Sequence, residues 1–106
     1  MFEEFETVVF NKDCAYWTKS KESNKSFILL TERFLNDRLR YVGWVSLNNA
    51  YAYLGFPEIL EAQRIGWKIS DCIDENNCVK FEVEDYTHFD DDSNLVINFK
   101  NLTKIV

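Results

Sequence analysis

The stretch from Phe27 to Pro57, FILLTERFLNDRLRYVGWVSLNNAYAYLGFP, limits the available folds more than any other part of the chain. Phe27, Leu30, Phe34, Leu35, Tyr41 and Val42 recur at three- and four-residue steps, which gathers them on one face of a helix. Glu32, Arg33, Asn36, Asp37 and Arg40 fall mostly on the other side and read as its solvated face. Ser23 or Asn24 is a plausible N-cap, because either side chain can accept from a free N–H of the first turn. Arg38 and Arg40 near the far end oppose the partial negative charge of the unpaired carbonyls, and Gly43 offers the left-handed conformation that ends helices. Ser46 then reads as the N-cap of a second helix, Leu47 to Leu54, with Leu47, Tyr51 and Leu54 facing inward beside a small Ala50. Gly55 and Pro57 stop it.

On either side of this helical pair the pattern changes. Residues 1–23 form a lead-in in which Thr7 to Phe10 suits either a short edge strand or a frayed helical turn, and Lys19 to Lys25 reads as a loop. Pro57 to Ala62 allows one further helical turn. From residue 64 the period is two. Ile65, Trp67 and Ile69 alternate with polar or small residues, as do Val79, Phe81 and Val83, and then Leu95, Ile97 and Phe99, with Thr103 to Val106 extending the last strand. The turn cluster at 74–77 predicts an antiparallel hairpin of the first two strands, with Trp67 and Phe81 paired on its buried face. Helices first and a meander afterwards predict one α+β domain over residues 1–106: a two-helix hairpin at 24–57 packed on three to four antiparallel strands at 64–106. A hydrophobic fraction of 46% and a charged fraction of 28% are those of a globular protein of this size, and aromatics at 16% supply large core side chains.

Charge narrows the function. A net charge of −6 disfavours attraction to phosphate backbones, so direct nucleic-acid binding is not expected. A helix-turn-helix reading fails on the same ground, since the second helix, LNNAYAYL, carries no Arg or Lys. The acidic N-terminal segment is unlike a signal peptide, and no apolar run approaches membrane-spanning length; the expected location is the cytoplasm, or a host cytoplasm if the protein is phage-encoded.

Asp71, Asp74, Glu75, Glu82, Glu84, Asp85, Asp90, Asp91 and Asp92 crowd a segment whose only basic residue is Lys80, and they are the candidate partner-binding residues for a protein with a basic surface. Asp90, Asp92 and Asn94 have calcium-loop spacing, but Leu95 stands where the loop requires Gly and Asn101 where it requires Glu. Cys14, Cys72, Cys78 and His88 lack the CxxC or paired-His spacing of a zinc site. Cys72 and Cys78 flank the predicted hairpin turn, where they can face each other across it, but in a reducing cytoplasm they are expected as thiols, and an odd total of three argues against a disulfide framework. His88 has no nucleophile signature around it, and the three glycines are scattered rather than gathered in a phosphate loop. Neither catalytic residues nor a cofactor or metal is expected.

The segments Gly43-Trp44-Val45-Ser46-Leu47-Asn48, Tyr51, Leu54-Gly55-Phe56-Pro57 and Ile65-Gly66-Trp67 resemble a pattern in small phage and prophage proteins of unknown function. Those proteins carry a glycine–aromatic–valine–x–leucine–asparagine helix, a leucine–glycine–x–proline stop and a later glycine–tryptophan strand. The resemblance covers residues 27–69 and implies a phage origin rather than an activity. Here Asn49 stands where that pattern has an acidic residue, and residues 58–64 are EILEAQR in place of a more polar loop. The leading expectation is a phage-derived, non-enzymatic protein–protein interaction domain. The alternative is an acidic inhibitor of a host nucleic-acid-binding defence protein, a nucleic-acid mimic of the anti-CRISPR kind. A small hydrolase ranks third and requires Glu82, Glu84, Asp85 or His88 to converge on a cleft.

Overall fold

A computed structural model describes residues 3–72, 78–85 and 94–105, with the backbone alone at Glu3, Glu4 and Asp85. The α+β class stands: two helices pack on antiparallel strands. The described elements are α1 (Glu3–Glu6), β1 (Thr7–Phe10), α2 (Lys21–Val42), β2 (Trp44–Ser46), α3 (Leu47–Leu54), β3 (Ile65–Lys68), β4 (Lys80–Asp85), β5 (Leu95–Lys100) and β6 (Thr103–Lys104), with short 3-10 turns at Leu60–Gln63 and Ile69–Asp71.

Strand pairing differs from the sequence expectation. Among the described residues two three-stranded sheets form, in the orders β1-β5-β4 and β2-β3-β6. The strand containing Trp67 therefore does not form a hairpin with the one containing Phe81. It pairs with Trp44–Ser46 on one side and Thr103–Lys104 on the other. Trp67 and Phe81 still meet, with ring centroids 6.2 Å apart, but across the junction of the two sheets. Phe99 and Tyr51 complete that aromatic cluster, and the indole N–H donates to the Lys100 carbonyl at 2.7 Å, so the buried polar atom of Trp67 is satisfied. Asn101, at φ 64, turns the chain out of β5 so that Thr103–Lys104 joins the second sheet instead of lengthening the first. β1 takes the edge-strand alternative.

α2 begins earlier than predicted. Its N-cap is Ser20, whose hydroxyl accepts from the Ser23 N–H, and the expected loop at residues 19–25 is mostly helix. Asn24 is not a cap. It lies buried and holds the preceding loop, accepting from the Thr18 N–H and donating to the Thr18 carbonyl, each at 2.9 Å. The second helix follows expectation closely. Ser46 caps it in a capping box with Asn49, and Gly55, at φ 91, closes it.

Two polar residues expected on the wet face of α2 point inward. Asn36 donates to the Val79 carbonyl and accepts from the Val79 N–H, both at 2.9 Å, and the Glu32 carboxylate accepts from the Phe81 N–H at 2.7 Å. Among the described residues β4 is an outer strand of its sheet, and these side chains supply partners of the kind that a further strand would supply. Asn48 treats Ile59 the same way, at 2.7 and 2.9 Å. An asparagine amide presents one donor and one acceptor in the geometry of a peptide group, which lets it bind both sides of a backbone residue.

Candidate protein-binding surface

α2 has two apolar arcs, and the arc chosen from the sequence is mostly the outer one. Ile28, Leu35 and Leu39 are fully buried, flanked by the buried Asn24, Thr31 and Asn36. Leu30 is 64% exposed, Phe34 52% and Tyr41 92%, and Val42 is also exposed. Of the set predicted to face inward, Leu35 is buried and Phe27 is partly buried against the core. The reason is a phase shift of one residue. Apolar groups recur at helical steps along both 27-30-34-41 and 28-35-39, and what selects the second arc is the backbone clamping by Asn24 and Asn36 beside it.

The outward arc forms a continuous stripe. Tyr16 lies tilted against Phe27, with centroids 5.4 Å apart, and Phe34 meets Tyr53 of α3 edge-on at 5.0 Å. Phe27, Leu30, Thr31, Phe34 and Tyr53 line a shallow groove of about 450 Å³ between the two helices, walled almost wholly by carbon. Scattered apolar residues on a surface require no explanation, whereas a contiguous patch is a candidate interaction surface. Two apolar arcs at helical spacing are visible in the sequence, and a single-layer helix can bury only one of them. That was the signal available for this surface.

The acidic candidates do not gather into one cluster among the described residues. Glu82 and Glu84 lie exposed on the same face of β4, two residues apart, and Glu82 is 3.7 Å from the Lys100 ammonium. Asp71 sits on the turn after β3, in the other sheet, 3.7 Å from Lys68 and accepting from the Thr103 hydroxyl at 3.4 Å. The backbone of Asp85 pairs with Leu95. Asp74, Glu75, Asp90, Asp91 and Asp92 lie outside the described residues, as does His88. These half-exposed ion pairs contribute little to stability.

The cysteines do not behave as expected. Cys72 and Cys78 form a disulfide, with Cα atoms 5.4 Å apart, where thiols were predicted. The bond joins the end of the β3 sheet to the residue before Val79, and hence to the segment that Asn36 clamps. Cys14 is free and buried. Burial pushes its thiol above the ordinary value of 9.0, with Asp13 adding to the rise and a hydrogen bond to the Asn11 backbone opposing it. Among the described residues no group of three or more His, Cys, Asp or Glu side chains could hold a metal ion.

Trp17 and Trp44 divide between core and surface. Trp17 packs partly buried against the core, whereas Trp44 is 48% exposed. Trp44 walls a second, polar depression with Ser46, Asn49, Glu58 and Arg64 at the start of α3. Among the described residues no helix is long and apolar enough to cross a membrane.

No curated protein and no solved structure matches the chain. Residues 2–105 match a family of unknown function, DUF6353, and because that match takes in nearly the whole chain, the protein belongs to this family.

Proposed function

We propose that the protein is a non-enzymatic protein–protein interaction domain of phage origin that works in the cytoplasm, where the Cys72–Cys78 bond is exposed to reduction and the fold has to stand without it. The observation that carries this reading is the exposed aromatic stripe of α2 and α3. Leaving Leu30, Phe34 and Tyr53 in water forgoes roughly 1–2 kcal/mol of burial for each, so a surface that keeps them together is suited to closing on another protein. Phage origin rests on the Gly43–Asn48, Leu54–Pro57 and Ile65–Trp67 segments, which resemble those of phage and prophage proteins.

The test is a photo-crosslinking amino acid placed at position 30 or position 34 in cells that express the protein. A discrete protein adduct at both positions, and none from the exposed position 61 outside the groove, is the expected result. Adducts of equal yield from all three positions, or none at any, would refute the proposal.

A second reading has its own observation. Glu82 and Glu84 present two carboxylates on one exposed strand face, which suits an acidic inhibitor of a host nucleic-acid-binding defence protein. It requires salt-sensitive binding to a basic partner that is abolished by Glu82→Lys with Glu84→Lys. Binding that is indifferent to both salt and charge reversal rules it out.

A further inference from the structure

We propose that the groove between α2 and α3 is a docking site for one amphipathic helix of a partner protein, with apolar anchors at helical spacing and carboxylates along its flanks. This deepens the preceding proposal and rests on it. Three observations select the occupant: the lining of the groove, its charge and its area.

The lining comes from Phe27, Leu30 and Phe34, set along the axis of α2, with Tyr53 of α3 opposite and the buried Thr31 between them. A helix laid in such a groove reads it with residues three, four and seven apart.

Charge then sets the character of the flanks. The chain is net −6, yet two arginines of α2, Arg33 and Arg38, border the exposed arc. Of the acids of α2, Glu32 is engaged with the Phe81 N–H and Asp37 with Arg40. Arg33 is exposed one residue before Phe34, and Arg38 follows Phe34 by one turn on the same arc. The buried Nε of Arg38 has no hydrogen-bond acceptor among the described residues. Carboxylates flanking an incoming helix would meet these guanidiniums, for which Arg is the better residue because its planar fork fits a carboxylate.

Area separates one helix from a second copy of this chain. Tyr16, Leu30, Phe34, Tyr41, Val42 and Tyr53 expose on the order of 700 Å² in total, from their 54%, 64%, 52%, 92%, 48% and 37% exposures, taking about 200 Å² for a large side chain, and only part of that lies in the groove. A stable dimer needs about 800 Å² per partner. A second copy would also bring one arginine-flanked face against another.

The experiment displays a library of random sixteen-residue peptides against the full chain, with counter-selection on Leu30→Glu. Leu30 is mostly exposed, so that variant keeps the fold, and circular dichroism checks it. The expected peptides carry apolar residues at i, i+3 or i+4, and i+7, with Asp or Glu beside them. They turn helical on binding, lose about tenfold or more in affinity on Leu30→Glu or Phe34→Ala, and tolerate Glu82→Lys with Glu84→Lys. Basic peptides that fail on Glu82→Lys with Glu84→Lys but ignore Leu30→Glu would overturn the groove and leave the interaction-domain reading standing. Enrichment of no peptide would count against both. A concentration-dependent dimer dispersed by Leu30→Glu, or Leu30-dependent binding to phosphatidylserine vesicles with no peptide enriched, would overturn the choice of occupant.

Discussion

Replacing Asn36 with alanine removes both hydrogen bonds that hold Val79 and leaves a backbone N–H and a carbonyl without partners in a site where the asparagine is 4% exposed and Val79 is fully buried. Each buried group left unmet costs about 1–3 kcal/mol, so the variant should lose about 2–5 kcal/mol. A domain of this size is stable by about 5–15 kcal/mol in all, and a loss of that order lowers the melting temperature by roughly 10–25 °C. Urea denaturation followed by circular dichroism gives the free energy. Amide exchange by NMR gives the location, since the Val79 and Phe81 N–H groups should lose protection before the rest of the sheet. Asn36→Asp sharpens the test. Its carboxylate can accept from the Val79 N–H but turns a second oxygen towards the Val79 carbonyl, which favours the protonated form in the folded protein. The folded pKa is then raised above the ordinary value of about 3.9, so stability is fully present below that value and lost as pH rises through the folded pKa. An Asn36→Ala variant within about 0.5 kcal/mol of the parent, with the Val79 amide still protected, would refute the clamp.

Three other perturbations probe different parts of the fold. A Cβ at Gly66 would fall inside the Val45 carbonyl oxygen and 2.8 Å from the Ser46 Cα, both backbone, so Gly66→Ala should cost about 2–3 kcal/mol in a denaturation curve by forcing β2 and β3 apart. The Cys72–Cys78 bond closes a loop of sequence separation 6, which loop-closure entropy values at about 2 kcal/mol; Cys72→Ser with Cys78→Ser should lose that amount, and protein prepared without reductant should alkylate in denaturant at Cys14 alone. Burial raises both the Cys14 thiol and the Tyr51 phenol above their ordinary values of 9.0 and 10.0, so the unfolded chain releases these protons first and stability should fall as pH climbs past about 9. Cys14→Ser and Tyr51→Phe should each flatten that alkaline decline, measured as melting temperature against pH.

Much of the fold was legible because its signals are local. Ser46, Gly43, Gly55 and the alternation at 65–69, 79–83 and 95–99 each act within a few residues, and each produced the element expected. Strand partners were not legible, because pairing Trp67 with Val45 rather than with Phe81 depends on Gly66 admitting the β2 backbone and on Asn101 redirecting the chain, both long-range consequences of single residues. The inner face of α2 was misread for a related reason. Hydrophobicity alone favoured Leu30, Phe34 and Tyr41, while the decision lay with Asn24 and Asn36, polar residues whose partners are Thr18 and Val79. A buried asparagine that clamps a backbone has the same sequence appearance as one on a wet surface. Of the acidic candidates, Glu82 and Glu84 share an exposed strand face as their spacing implies, while Asp71 stands on the 3-10 turn after β3.

The central claim is that α2 buries one apolar arc and leaves the other open to a partner. Leu35→Ala and Leu30→Ala test it with the same chemistry on the same helix. Leu35 is fully buried, and its truncation should cost about 2–5 kcal/mol in chemical denaturation, whereas Leu30, at 64% exposed, should change stability by less than about 0.5 kcal/mol. Equal and large losses from the two variants would mean that Leu30 belongs to the core and that the groove does not exist as a surface.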